Sequence, residues 1–470
     1  MPRIDPLADL TPAPPRPLLA APLGRVFFFG LLALGQTLLW WAYYADGAKT
    51  LIGDEQMYQT VAIDILGGGA WHANTIWPPL QSLFIAGIYW IFGPHLLAVQ
   101  IGQSLMLLAC ALLVHAIWRR VSGNETAARI AAALFVLNPS TAAYAQWLWP
   151  EVLHLLLTLL VLWLLLVCRP SKGGAFLAGL CTGLALLAKS LLSLFWPFLL
   201  YAFAQTRKPY LRIVAALLFV GGVALPTVPT MIDGWRQWGS ATIADSSMYN
   251  LWVGLTDRWR SDYVEDMGGV TLPAFLASGT TPAQRNAVYG EKVRDLIAER
   301  GLVDVAKAQL GRQYFRLLNA KTPLLSQLPG PGCAGYLGAY HASPDVTHGL
   351  TWLANFFHVL TLVGCAFGIA LWRRRPDVAL VLLALFAGYQ LALMLPLHVK
   401  ARFLFPLLPV LCGFAGSFLA ALQARYASNS PSGNSGLVWT PVRVLVGSAF
   451  AALLLVLAFM GPTLDHLCAA

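Results

Sequence analysis

The sequence predicts an all-α polytopic membrane protein, and three observations predict it: an apolar excess, the length of the apolar runs, and where the cations fall. Of 470 residues, 58% are hydrophobic and only 11% are charged, with a mean hydropathy of +0.64. A soluble domain carries roughly a quarter charged residues, so lipid is the solvent for most of this surface. Apolar runs near 26–44, 96–117, 127–146, 149–168, 173–189, 190–205, 210–231, 349–372, 377–396, 402–424 and 440–461 approach the length a helix needs to cross the hydrocarbon. They give about eleven transmembrane helices. The net charge of +10 would suit a nucleic-acid partner if it covered one surface. Instead the Lys and Arg residues cluster between apolar runs, as in cytoplasmic loops, and no nucleic-acid partner is expected.

The N-terminal residues 1–25 are Pro-rich and polar, with no apolar core near Met1, and read as a disordered cytoplasmic tail before an uncleaved anchor. Residues 26–470 then form a single integral membrane domain. Threaded alternately, the runs put Arg25, Arg119 and Arg120, Arg169 and Lys172, Arg207, Lys208 and Arg212, Arg373 to Arg375, Arg425 and Arg443 on the cytoplasmic side. Two long segments, 45–94 and 233–348, are then extracytoplasmic. The first holds EQMYQTVAIDIL, whose Met57, Val61, Ile65 and Leu66 share one helical face, as in a helix lying in the membrane interface. The second holds two further helical stretches, around 283–300 and 302–318. No repeat of solenoid type is present.

Seven cysteines lack the CxxC spacing of a zinc or redox site. Cys333 and Cys468 are both placed outside and could pair. The glycine run Gly67–Gly69 follows no strand, and no GxxxxGKS/T loop occurs, so nucleotide binding lacks support.

Ionisable groups at a membrane edge are costly to keep and are functional hypotheses by default. Asp54 and Glu55 follow the first span, Glu151 lies between the third and fourth, Lys189 between the fifth and sixth, and His398, Lys400 and Arg402 open the tenth. All fall on the outer face. A carboxylate there can take a proton from an acceptor hydroxyl. Arg and Lys can neutralise a leaving phosphate. Asp54, with Glu55 beside it, is the candidate catalytic acid–base residue, although Asp is equally a good helix N-cap. Tyr58 lies one turn on from Asp54 and lines the same face. Glu151 has a capping role as its plainer reading. Lys189 and Arg402 could simply snorkel. His398 and His72 are weaker site candidates. Trp147, Trp149 and Trp196 read as interface-belt residues. The sequence requires no cofactor, though Asp54, Glu151 and a histidine could hold a divalent cation.

These residues also resemble a known family. GDEQMY at Gly53–Tyr58, PPL at Pro78–Leu80, FG at Phe92–Gly93, WPEVL at Trp149–Leu153, GLALLAKSL at Gly183–Leu191 and ARFLFPLLPVL at Ala401–Leu411 resemble, in order, motifs of the GT-C superfamily of polyprenyl-phosphate-sugar glycosyltransferases. Its protein O-mannosyltransferase-like and lipid A aminoarabinose transferase-like branches are the most similar. The threonine expected before the lysine is Ala188. The resemblance covers roughly residues 26–424 and implies a GT-C fold in the bacterial inner membrane. It implies sugar transfer on the periplasmic face from a polyprenyl-phosphate donor to lipid A, a glycan or a protein. Asp54 maps to the family's catalytic aspartate, Glu151 to its second loop acid, and Lys189 and Arg402 to its phosphate-contacting cations. A transporter or flippase would place polar groups near the bilayer midplane in repeated halves, which is not the pattern here. An O-antigen ligase or polymerase is disfavoured by the GDEQMY-to-PPL order.

Overall fold

The computed structural model describes residues 23–44, 51, 53–72, 76–168, 171–205, 208–256, 271–320, 344–427 and 437–464. Among them all regular structure is helical, apart from one isolated bridge between Trp372 and Leu437. The helices are α1 (Leu23–Tyr44), α2 (Asp54–Leu66), α3 (Leu80–Phe92), α4 (Leu96–Ser122), α5 (Glu125–Val136), α6 (Pro139–Tyr144), α7 (Glu151–Leu166), α8 (Lys172–Ala188) and α9 (Pro209–Trp238). They continue as α10 (Ser247–Leu255), α11 (Leu272–Ala277), α12 (Pro282–Arg300), α13 (Leu302–Ala308), α14 (Pro344–Leu371), α15 (Val378–Leu393), α16 (Leu408–Ala427) and α17 (Pro441–Leu464).

Six of the helical segments are long and apolar enough to cross a membrane, and α3, α7, α8 and α15 are shorter apolar helices. Where α1, α9 and α17 leave large apolar side chains exposed, such as Phe27, Leu38, Leu217, Leu225, Leu445 and Val456, lipid is the matching solvent. The main core is built from α4, α5, α7, α8, α15 and α16. Helices α8 and α9 meet at backbone distance, and a Cβ on Gly179 would overlap the Phe219 carbonyl. Gly222 has the same relation to the Phe176 carbonyl, so glycine on both sides permits the approach.

The predicted runs are helical, with three changes. The run at 127–146 is two helices, because Asn138 and Pro139 end one and start the next, with the Asn138 side chain accepting from the Ser140 N–H. The run at 190–205 winds as two 3-10 turns, Ser190–Leu192 and Trp196–Gln205. Helix α9 continues to Trp238 through Pro226 and Pro229, past the expected end. Within the segment 45–94 the structure adds α3, and the segment 233–348 holds α10 to α13. The N-terminal residues 1–22 and the cysteines Cys333 and Cys468 lie outside the described residues.

Two of the predicted cation clusters, Arg25 and the Arg119–Arg120 pair, come together at one end of α4. Glu125 takes Arg25 at 2.8 Å, Arg119 at 3.1 Å, Arg129 at 3.2 Å and His115 at 3.2 Å, while Arg120 pairs with Asp377 at 2.8 Å. This arginine-rich end is the C-terminal end of α4, where cations also suit the helix dipole. The Gln100 end of α4 lies about 28 Å away along the axis at 1.5 Å per residue.

Candidate active site

At that far end, acids and bases from four parts of the chain meet. Asp54 opens α2, but Gly53, with φ of 57°, takes the N-cap position and no side chain caps the helix. The expected N-cap role for Asp54 is therefore not what the helix uses. Both terminal nitrogens of Arg402 lie 3.4 Å from Asp54 Oδ2. Glu151 opens α7 after Pro150, again without a side-chain cap. Its Oε1 accepts from Lys189 Nζ at 3.0 Å and lies 4.0 Å from Arg402 Nε. Lys189 follows α8 as its C-cap in an extended conformation, so the chain turns out of the helix just where the ammonium meets Glu151. Glu151 is buried, whereas the Asp54 side chain is 36% exposed, so of the two acids Asp54 is the one a substrate can reach.

Aromatic rings hold the cations from the other side. The Arg402 guanidinium lies 4.6 Å from the Trp149 ring centre, and Trp149 stacks on buried Trp147 at 4.0 Å. Phe403 lies under both Lys189 and Arg402, at 5.1 and 5.5 Å. In a partly desolvated site such contacts contribute on the order of 1–2 kcal/mol each. Trp147 and Trp149 are thus supports for the site rather than belt residues.

The turn carrying both tryptophans is fixed by buried amides that the sequence reading did not single out. Gln103 Nε2 donates to the Ala145 carbonyl at 3.0 Å and the Trp147 carbonyl at 2.7 Å. Gln81 Nε2 donates to Gln103 Oε1 and to the Leu148 carbonyl, both at 3.2 Å. Gln100 Nε2 donates to the Gln146 carbonyl at 3.0 Å. Glu55 belongs to this group. It is fully buried, and its Oε1 accepts the Leu148 N–H at 2.9 Å, so it faces away from the surface that Asp54 presents. A buried carboxylate costs several kcal/mol unless bonded, which makes Glu55 a strong anchor between α2 and the turn. The only sequence signal for the glutamines was an amide inside an apolar run.

Tyr58, one turn after Asp54, is buried, and burial followed by the Asp54 and Glu151 charges pushes its hydroxyl well above the usual phenol range. His398 is buried with its ring edge-on to Phe403 at 5.4 Å. Burial first, then Lys400, Arg402 and Lys189, push its imidazole well below the usual range, so it is neutral at pH 7. The backbone around His398 is held by Gln309, which donates to the Leu397 carbonyl at 2.6 Å, and by α10, whose Gly254 packs on residues 396–398. Lys400, which the sequence named without a role, is pushed down to about 7 by burial and then by Arg402, with Asp54 and Glu151 opposing. His72 stands apart from the ion pairs, with Nδ1 3.4 Å from Asp233 and Nε2 3.3 Å from the Ile243 carbonyl.

Among the described residues no three His, Cys, Asp or Glu side chains lie together as a metal-binding group. The two carboxylates offered as ligands, Asp54 and Glu151, pair with Arg402 and Lys189 respectively.

Comparison with known proteins gives one family match. Residues 77–232 match the family described as dolichyl-phosphate-mannose-protein mannosyltransferase, a segment that contains Glu151 and Lys189. Among curated protein sequences nothing matches. Two solved structures of ArnT from Cupriavidus metallidurans are similar. The form bound to undecaprenyl phosphate shares 16% identity over 87% of this chain and 80% of that one, with a TM-score of 0.36. The apo form shares 17% over 86% and 79%, with a TM-score of 0.35. A match to the mannosyltransferase family thus runs from before α3 into α9, in a multi-pass helical bundle that carries a cation–carboxylate site at one end.

Proposed function

We propose that the chain transfers a sugar from a polyprenyl-phosphate donor to a hydroxyl-bearing acceptor on the extracytoplasmic face of a bacterial inner membrane, with Asp54 as the catalytic base. The carrying observation is the meeting of Asp54, Glu151, Lys189 and Arg402 within ion-pair distance, at the end of α4 opposite its arginine cluster. The positive-inside rule assigns the arginine end to the cytoplasm. The matched family's description supports a lipid-phosphate mannose type of donor.

Asp54 takes the proton of the acceptor hydroxyl as its oxygen forms a bond to the anomeric carbon. The bond from that carbon to the phosphate oxygen breaks, and the electron pair leaves with the lipid phosphate. Lys189, Arg402 and Lys400 stabilise the charge that develops there. Glu151 spaces Lys189 and Arg402, and Glu55 and the glutamines set the turn on which Trp149 supports Arg402. Displacement from the opposite side inverts the anomeric configuration.

The test is release of polyprenyl phosphate by purified protein in nanodiscs from a panel of polyprenyl-phosphate sugars, beside Asp54→Asn. Loss of a general base lowers the rate about 10²–10⁴-fold, and the variant should melt at the wild-type temperature. Full activity in Asp54→Asn would remove it from the mechanism.

A further inference from the structure

Helix α4 carries Arg119 and Arg120 in its last turn and stops at Gly123, whose φ of 61° lies in the left-handed region that glycine enters without penalty. The missing side chain has a second use. A Cβ on Gly123 would stand 2.6 Å from Arg374 Nη1, so the bare turn lets a guanidinium from the α14–α15 connection lie against it. Two residues on, Glu125 opens α5 and receives Arg25 from α1, Arg119 from α4 and Arg129 from one turn along its own helix. Arg120 pairs with Asp377 at the same end. Five guanidiniums thus gather around two carboxylates, and the patch keeps a surplus of positive charge.

The pairing also leaves donors over. Arg25 uses Nε and Nη2 on the two oxygens of Glu125. Arg119 and Arg129 approach through Nε, and among the described residues their terminal nitrogens have no hydrogen-bond partner. These two side chains are 41% and 36% exposed, and Arg374 is exposed as well. The Phe28 ring, 5.7 Å from the Arg129 guanidinium carbon, supports that side chain from α1. A guanidinium fork matches a pair of phosphate oxygens, so the spare donors suit a phosphate lying outside the cluster.

Depth decides which phosphate. Helix α4 is long and apolar enough to cross a membrane. Its arginine end lies about 28 Å from Gln100 along the axis, close to the roughly 30 Å of hydrocarbon in a bilayer. The cluster therefore sits at the level of lipid headgroups. Just past Arg25, α1 turns Phe27, Leu31, Leu34 and Leu38 outward along one face, each about half exposed or more. That apolar stripe runs from the cluster into the membrane, as an acyl chain does below its phosphate. A soluble phosphate would engage the guanidiniums but not the stripe. Basic patches between membrane helices hold acidic lipid headgroups by this chemistry.

We infer that the turn between α4 and α5, with Arg374 beside it, binds the phosphate of an anionic phospholipid in the cytoplasmic leaflet. The site lies at the opposite end of the bundle from Asp54 and does not depend on the transferase reading.

The experiment is native mass spectrometry of the full chain, titrated with phosphatidylglycerol or phosphatidylcholine. One basic residue near an acidic headgroup is worth about a fivefold change in binding. The double variant Arg119→Gln, Arg129→Gln should therefore bind phosphatidylglycerol about 25-fold more weakly than the wild type, with phosphatidylcholine unaffected. Lys172→Gln with Lys208→Gln removes the same charge from two exposed lysines at the starts of α8 and α9, and should bind as the wild type does. Arg374 has no ion-pair partner among the described residues. Arg374→Gln should cost about fivefold at an unchanged melting temperature, which keeps the inference testable if the double variant does not fold. Equal binding of the two lipids by the wild type would overturn the inference, as would an equal loss in the lysine variant. Displacement of phosphatidylglycerol by inorganic phosphate, but not by chloride at the same ionic strength, would make this a soluble-anion site and overturn the lipid assignment.

Discussion

Lys400 gives the sharpest test of how this site binds phosphate, because its charge is poised to change near neutral pH. Burial and Arg402 bring its ammonium down to about 7. Two unit charges about 4 Å apart interact by about 4 kcal/mol at an effective dielectric of about 20. One pKa unit corresponds to about 1.36 kcal/mol, so a phosphate bound at that distance raises Lys400 by about three units, back to the ordinary lysine range. The sign follows from linkage. Below pH 7 the free and bound proteins both carry the proton, and affinity does not depend on pH. Above pH 7 the free protein has lost it, binding must take one up, and affinity falls by up to about tenfold per pH unit. Between pH 7 and pH 9 the dissociation constant should rise about fifty-fold. In Lys400→Arg the cation stays charged throughout, and the same range should be nearly flat. The assay is binding of undecaprenyl-phosphate mannose to protein in nanodiscs from pH 6 to pH 9. That probe is a phosphodiester, so its own charge is constant. A wild-type affinity changing less than about threefold over pH 7–9, or a Lys400→Arg variant with the wild-type slope, would refute the reasoning.

Three further outcomes are expected. Glu151→Gln leaves Lys189 and Arg402 without their shared partner. Because both cations are partly exposed, the cost should be about 2 kcal/mol, below the 3–5 of a fully buried pair; a double-mutant cycle with Lys189→Met, read by thermal melting, should show coupling. Gln103→Leu removes both donated bonds to the Ala145 and Trp147 carbonyls, costing about 1–3 kcal/mol for each carbonyl stranded, with faster hydrogen exchange across residues 145–149. Gly179→Ala should lower the melting temperature by several degrees because its Cβ overlaps the Phe219 carbonyl, whereas Gly221→Ala, with open space around it, should not; equal effects would remove that contact from the account of α8–α9 packing.

The membrane helices were legible because apolar run length is set by bilayer thickness. Helix ends were less so: α9 runs on to Trp238, and 127–146 breaks at Asn138, because capping and backbone hydrogen bonds decide ends, not hydropathy. Asp54, Glu151, Lys189 and Arg402 stood out because a charge in an apolar chain needs a reason, and they do meet. Glu55 shows the limit of that signal, since adjacent carboxylates on a helix point about 100° apart; one faces the cations and the other the turn. Gln81, Gln100 and Gln103 were illegible for a related reason. Their partners are backbone carbonyls of a turn some forty to seventy residues away in sequence, and carbonyls carry no sequence signature.

The amide bracing has a mechanical consequence. Apolar helices can tilt and slide as bilayer thickness varies, at fractions of a kcal/mol per Å, because one lipid-facing contact is nearly as good as the next. Amide-to-carbonyl bonds are directional and short-ranged, so α2, α3, the outer end of α4 and the turn before α7 travel as one block. Thickness changes are then absorbed lower in the bundle, and the placement of Asp54 relative to the turn that carries Trp147 and Trp149 is insulated from the acyl-chain length of the surrounding lipid.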